Sequence, residues 1–416
     1  MRTSYYPRVP RLLADTRPLH NPDYRRLWWT GVVTVIGAQL TAVAVPAQIY
    51  AITGSSAYVG LTGLFGLVPL VIFGLWGGAI ADALDRRLVI IGTTLGLAAA
   101  ALMLALLPNN VWLILCAFAV QQAFFGVNQP TRSAIYARLV PPAQLPAANS
   151  LNMTVMQFGA IAGPMLGAPL IPVIGVHWLY TLDACSLMLT LWAVWKLPSI
   201  TPEDRGQSLG LRSVLDGFAY LAGHRVLLMS FVVDIIAMVF GMPRALFPQI
   251  AHVNFGDPIG GGVVFGALFA AMSVGAVVGG VLSGWTSRVR RQGLAVIVLV
   301  VLWGAAIAGF GVATQFGWLW AALVLLALGG AADMFSAAFR STMLQEAATD
   351  DVRGRLQGVF TVVVAGGPRI GDVAHGAAAA TAGAAMAAAG GGVLVIVFTV
   401  LAAFAVPAFV RYRVVR

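Results

Sequence analysis

Seven ionisable residues stand inside stretches that otherwise read as hydrocarbon: Asp183, Asp234, Arg244, Asp333, Arg369, Asp372 and His375. In a membrane each costs a few kcal/mol at mid-depth unless it is paired or hydrated, so such groups mark ion pairs, proton relays or water-lined paths. Asp234 has no basic residue three or four positions away on its own stretch. An unpaired buried carboxylate can hold a proton near neutral pH, which makes Asp234 the first candidate for proton coupling; pairing with Arg340 or Arg369 of another helix is the alternative. Asp333 has Arg340 seven residues on, two helical turns along the same face, which suits a pair or a gate. Arg369 and Asp372, in GGPRIGDVAHG, share a helical face beside Pro368 and Gly371, so a charged hinge is expected there. It either fixes packing as an internal ion pair, or lets Asp372 change protonation. His375, one turn further, reads as a packing histidine that could assist. Arg244 is expected to snorkel or to close an outer gate, and Asp183 to be structural.

The elements that position these residues follow from composition. The chain has 416 residues, 59% of them hydrophobic and 10% charged. A soluble domain carries about 25% charged residues, so the chain reads as an all-α polytopic membrane protein. The formal net charge of +10, nearly all from arginine, would suggest nucleic acid in a soluble protein. Here it fits loops facing anionic lipid, and no nucleic-acid partner is expected. Cys116 and Cys185 lie in apolar segments and give neither a disulfide framework nor metal-ligand spacing. No nucleophile–base set and no P-loop appears, so neither an enzyme nor an ATP-driven pump is expected. No cleavable signal peptide is expected either.

Twelve apolar runs are long enough to cross a bilayer: 27–52, 57–81, 88–107, 111–136, 146–173, 177–197, 225–250, 261–286, 293–313, 317–341, 355–388 and 390–410. The intervening loops carry Lys or Arg only on alternate sides, on the side of both termini, which places the termini in the cytoplasm. The organisation expected is a cytoplasmic arm (1–26), a six-helix bundle (27–197), a linker with an interfacial helix (198–224), a second six-helix bundle (225–410) and a tail (411–416). The ends GLWGGAIADALDRR and GAVVGGVLSGWTSRVRR of spans two and eight suggest that the halves are related.

Two motifs are more specific. Gly159, Gly163, Pro164 and Gly167 form GxxxGPxxG in span five, a bare strip for close helix approach. It resembles the antiporter motif of the major facilitator superfamily, which marks exporters that exchange substrate for protons. The loop from Gly78 through Asp82 to Arg86 and Arg87 resembles the superfamily's GxLaDrxGrR signature, with Ala83 and Asp85 in place of its usual Arg and Gly. NQPTRSAIYARLVPPAQLPAANSLNMTVMQFGAIAGPMLG and RGRLQGVFTVVVAGGPRIGD resemble bacterial secretion-type members, the group of the enterobactin exporters. The usual Arg in mid-span four is absent; Gln121 and Gln122 lie near that depth.

The resemblance implies two pseudosymmetric six-helix bundles, alternating access, and spans 1, 4, 7 and 10 around a central cavity. Gly78, Asp82, Arg86, Arg87, the span-five glycines, Pro164 and Arg340 would then serve gating, and Asp234, Asp333, Asp372 and Arg369 proton coupling. Gln39, Asn128, Met238, Phe335 and Phe339 are candidate substrate contacts, with Trp28, Asn152, Met156 and Phe240 beside them; plain packing is the alternative for each. The function expected is export of an amphipathic small molecule, a drug or a siderophore, by a monomer in the cytoplasmic membrane. The proton motive force would drive it, without a cofactor. The alternatives are a nutrient importer or uniporter, and a lipid flippase or non-transporting scaffold.

Overall fold

A computed structural model describes residues 15–200, 211–347 and 350–413; most of the N-terminal arm, the middle of the linker and the last residues of the tail lie outside them. Every regular element among the described residues is helical. Spans 1 to 6 are Pro22–Thr53, Ser56–Ala83, Arg86–Leu106, Val111–Leu139, Leu145–Ile174 and Val176–Trp195. The linker helix is Leu211–Gly223, and span 7 is Arg225–Gly241 with a broken continuation to Asn254. Spans 8 to 12 are Val263–Val281, Gln292–Gln315, Leu319–Ala347, Asp350–Ala382 and Ala384–Ala405. Ten of the twelve are long and apolar enough to cross a membrane. The other two, spans 6 and 11, have 20 and 33 residues, and they are the ones diluted by Asp183 and by Arg369, Asp372 and His375.

Helix starts are written locally. Asn21, Ser55, Asp85 and Asn110 each accept backbone N–H groups of the first turn, satisfying donors that a helix leaves open. Two of the boundary differences have a local cause. Span 11 ends at Ala382, not 388, because Gly383 takes φ 80°, a turn that the uniform alanine run around it conceals. Span 7 is not continuous to 250: it breaks at Met242–Pro243, where proline has no N–H to give, and resumes as a 3-10 turn at Arg244–Leu246. Span 11, in contrast, runs through Pro368 without interruption.

The packing repeats at an offset of six spans. Span 1 packs on 5 and 6, as 7 does on 11 and 12; 2 packs on 4, as 8 on 10; and 3 packs on 4 and 6, as 9 on 10 and 12. Two further pairs join the bundles, 2 with 11 and 5 with 8, and the same offset relates them. Both meet closely away from the face that carries the termini. A Cβ at Gly60 in span 2 would fall 2.6 Å from the Asp372 carbonyl oxygen, and one at Gly266 in span 8 would fall 2.6 Å from that of Pro164. On that side the Ser56 hydroxyl also donates to Gln249 Oε1 at 2.6 Å. Toward the termini, spans 5 and 8 leave Met153, Met156, Val278 and Val281 exposed.

Candidate functional site: charges between and within the bundles

Span 7 carries Asp234 on the face turned to span 10, and span 10 carries Arg340 and Asp333 two turns apart. Arg340 forms an ion pair with Asp234, both nearly free of solvent, and its Nη2 lies 3.8 Å from Asp333 Oδ1. The Asp333 side chain is 25% exposed, the accessible member of the three. Asp234 is therefore not the unpaired carboxylate that its own helix suggests. Its cation comes from 106 positions away, a contact that same-helix spacing cannot reveal. The Asp333–Arg340 approach is the one that the seven-residue spacing anticipated.

Arg369 and Asp372 do not close on each other as an ion pair. Arg369 reaches across the junction of the bundles: its Nη2 donates to Gln122 Oε1 of span 4 at 2.7 Å, and its guanidinium lies 5.6 Å from the Phe118 ring centroid. Gly63 and Gly66 of span 2 leave the room; a side chain at Gly66 would collide with the guanidinium. Thus Gln122 of span 4 receives a guanidinium from the opposite bundle. Asp372 sits beside the Ala245 backbone, within electrostatic reach of Arg244 and Arg369. Arg244 opens the 3-10 turn after the span 7 break, is exposed, and lies within electrostatic reach of Asp333, Asp372 and Arg369.

Asp183 is buried. The Thr41 hydroxyl donates to it at 2.7 Å and Gln121 Nε2 at 3.4 Å, tying spans 1, 4 and 6 together. His375 is 3% exposed and packs against Gly391 of span 12.

Several expected substrate contacts pack against neighbouring side chains in this arrangement. Asn128 is buried and donates to Thr93 Oγ1 at 2.9 Å, inside the first bundle. Met238 is buried against Gly367 and Gly371 of span 11. Phe335 and Phe339 stack edge-on with Trp285, at 5.0 and 6.0 Å, on the side of span 10 away from Asp333 and Arg340. Gln39 lies under Gly163. Residue type at a given depth did not say which way each side chain turns. Trp28 stacks edge-on with Trp29, Phe240 packs on Phe398 of span 12, and Met156 is exposed.

The glycine strip does allow close approach, but within one bundle: Gly159, Gly163 and Gly167 meet Val35, Gln39 and Leu40 of span 1. Pro164 faces the other way, onto span 8. Gly78 and Asp82 fall on the last turns of span 2, and their surroundings lie outside what is described. Asp85 proves more informative than its departure from the signature suggested. It caps span 3 through the Arg87 amide at 2.9 Å and also accepts from the Ser199 hydroxyl at 2.6 Å and the Ile200 amide at 3.2 Å. The Arg86 amide donates to the Ile200 carbonyl, and Arg87 Nη2 to that of Trp195 at 2.6 Å. The 2–3 loop thereby clasps the start of the linker. An aspartate directly before a helix was the available signal for the cap; nothing local marked Ser199.

Two related helical bundles joined through spans 2, 5, 8 and 11, with charge buried along their contact, define a membrane transporter. The chain belongs to the Major Facilitator Superfamily, whose family model matches residues 27–371. It is similar to the enterobactin exporter EntS of Citrobacter koseri, 29% identical over 84% of each chain. It is likewise similar to EntS of Shigella boydii serotype 18, 30% identical over 84% of each. Among solved structures it shares its fold with the nucleoside transporter NupG (TM-score 0.70, 15% identity, 94% of this chain and 100% of that one). The same holds for a bacterial homologue of the lysosomal transporter Spinster in an inward-facing, unoccupied conformation (0.71, 14%, 95% and 97%).

Proposed function

We propose that this transporter is a proton-coupled exporter of amphipathic small molecules, siderophores or drugs, working by alternating access in the cytoplasmic membrane with both termini inside the cell. Its relatives named for enterobactin export support the direction and the substrate class. The observation that carries coupling is Arg340 held between Asp234 and Asp333. Two carboxylates on one guanidinium bear one net negative charge, and one proton neutralises the group. Asp333, partly exposed, is the entry for that proton; Asp234, on span 7, is where the change is felt by a second helix. Each protonation state then favours a different arrangement of spans 7 and 10, the condition for tying a gradient to movement.

The test is uptake of substrate into everted membrane vesicles energised by a pH gradient. Asp234→Asn should abolish accumulation against a gradient while sparing downhill movement. If Asp372→Asn fails and Asp234→Asn does not, coupling lies in span 11. If Asp234→Asn, Asp333→Asn and Asp372→Asn all pump, these carboxylates do not couple.

A further inference from the structure

Arg244, Arg340 and Arg369 stand deep in the apolar stretches of spans 7, 10 and 11, and the last two are engaged. Arg340 holds Asp234 and Asp333, and Arg369 holds Gln122 and the Phe118 ring. Arg244 makes no side-chain hydrogen bond or ion pair among the described residues, and it is exposed although Met242, Pro243, Ala245 and Leu246 beside it are buried. An unpaired guanidinium at a helix break within a membrane bundle is sustainable only toward water or a ligand. Its backbone is fixed, because the 3-10 turn it opens packs on spans 2 and 11. Asp333 and Asp372 are close enough to temper its charge, yet neither closes on it. The residue is thus anchored by its backbone, while the five donors of its guanidinium are left open among the described residues, a fork matched to paired acidic oxygens.

We propose that Arg244 is the cation that receives an acidic oxygen group of the transported molecule, so that this protein takes organic anions. The proposal rests on the export reading for its direction and on Arg244 alone for its charge preference.

The experiment is equilibrium binding by fluorescence anisotropy to the purified full chain in nanodiscs. The probes are carboxyfluorescein and, as a cation built on a similar ring system, rhodamine 6G. The wild type should bind the anion more tightly. Losing a charged hydrogen-bond partner should weaken carboxyfluorescein about tenfold or more in Arg244→Gln, leave rhodamine 6G unchanged, and be partly reversed in Arg244→Lys. The wild-type preference stands as a test even if a variant does not fold. Tighter binding of the cation, no binding of the anion, or an equal loss of both dyes in Arg244→Gln would overturn the proposal; the last would make Arg244 a gate. Accumulation of the same dyes in everted vesicles separates the two readings. Binding without accumulation defeats export and not the anion site, whereas accumulation without charge preference defeats the anion site and not export.

Discussion

Arg340 carries most of the electrostatic burden in the second bundle. Breaking a buried pair by removing one partner costs about 3–5 kcal/mol, because a charge is left without compensation. Arg340→Gln should therefore lower the thermal midpoint sharply, while Arg340→Gln combined with Asp234→Asn should lose less than the two singles together, a coupling that a double-mutant cycle reads directly. Asp234→Asn keeps an oxygen toward Arg340 but cannot titrate, so it should retain much of the stability and lose gradient-driven export. At the loop, Asp85 shows how a carboxylate sets a pH window. Partial burial raises its pKa, but the Ser199 hydroxyl, the Arg87 and Ile200 amides and the Arg87 charge outweigh that and leave it below the ordinary value of 3.8. A carboxylate lowered by folding contributes stability above its unfolded pKa and loses it as pH falls through the folded one. The difference in thermal midpoint between wild type and Asp85→Ala should be constant near neutrality and shrink only below about pH 4. A difference that vanished near pH 6 would mean another group controls the clasp.

Helix pairs decide what the glycines are for. A leucine at Gly163 would drive into Gln39 and force spans 1 and 5 apart; overpacking of this kind costs about 1–3 kcal/mol. Gly163→Leu should insert into the membrane normally, melt earlier and export poorly; normal transport by the inserted variant would reduce the strip to ordinary packing. The contact of spans 2 and 11 makes a different demand. There Arg369 joins its bundle to Gln122 of the other, on the half of the molecule away from the termini. Gln122→Ala should loosen that junction. A cysteine at Ser56, 2% exposed in this arrangement, should then react faster with a thiol reagent than it does with Gln122 intact. An unchanged rate would mean that the glycine contacts hold the junction alone.

Across the whole molecule, twelve passages put Ser55, Asn109, Asn254 and Gln315 on one face and Asp85 and Arg290 on the other, with the termini. Cys116 and Cys185 are both exposed and must be replaced first. Single cysteines at the first four positions should then label from outside intact cells and those at the last two should not; the reverse pattern would invert the topology. The sequence alone determined the number of spans, their pairing into related halves and the family, because hydropathy, basic loops and short motifs are properties of contiguous residues. It also determined that charges lie within the spans. Only the tertiary structure decided where those charges go. Asp234 finds Arg340, Arg369 finds Gln122 instead of Asp372, Arg244 is left open, and Asn128 and Phe339 turn away into packing. The reason is geometric. A helix fixes which residues share its own face, but the partner across a contact depends on the rotation and offset of another helix, set by the packing of all twelve.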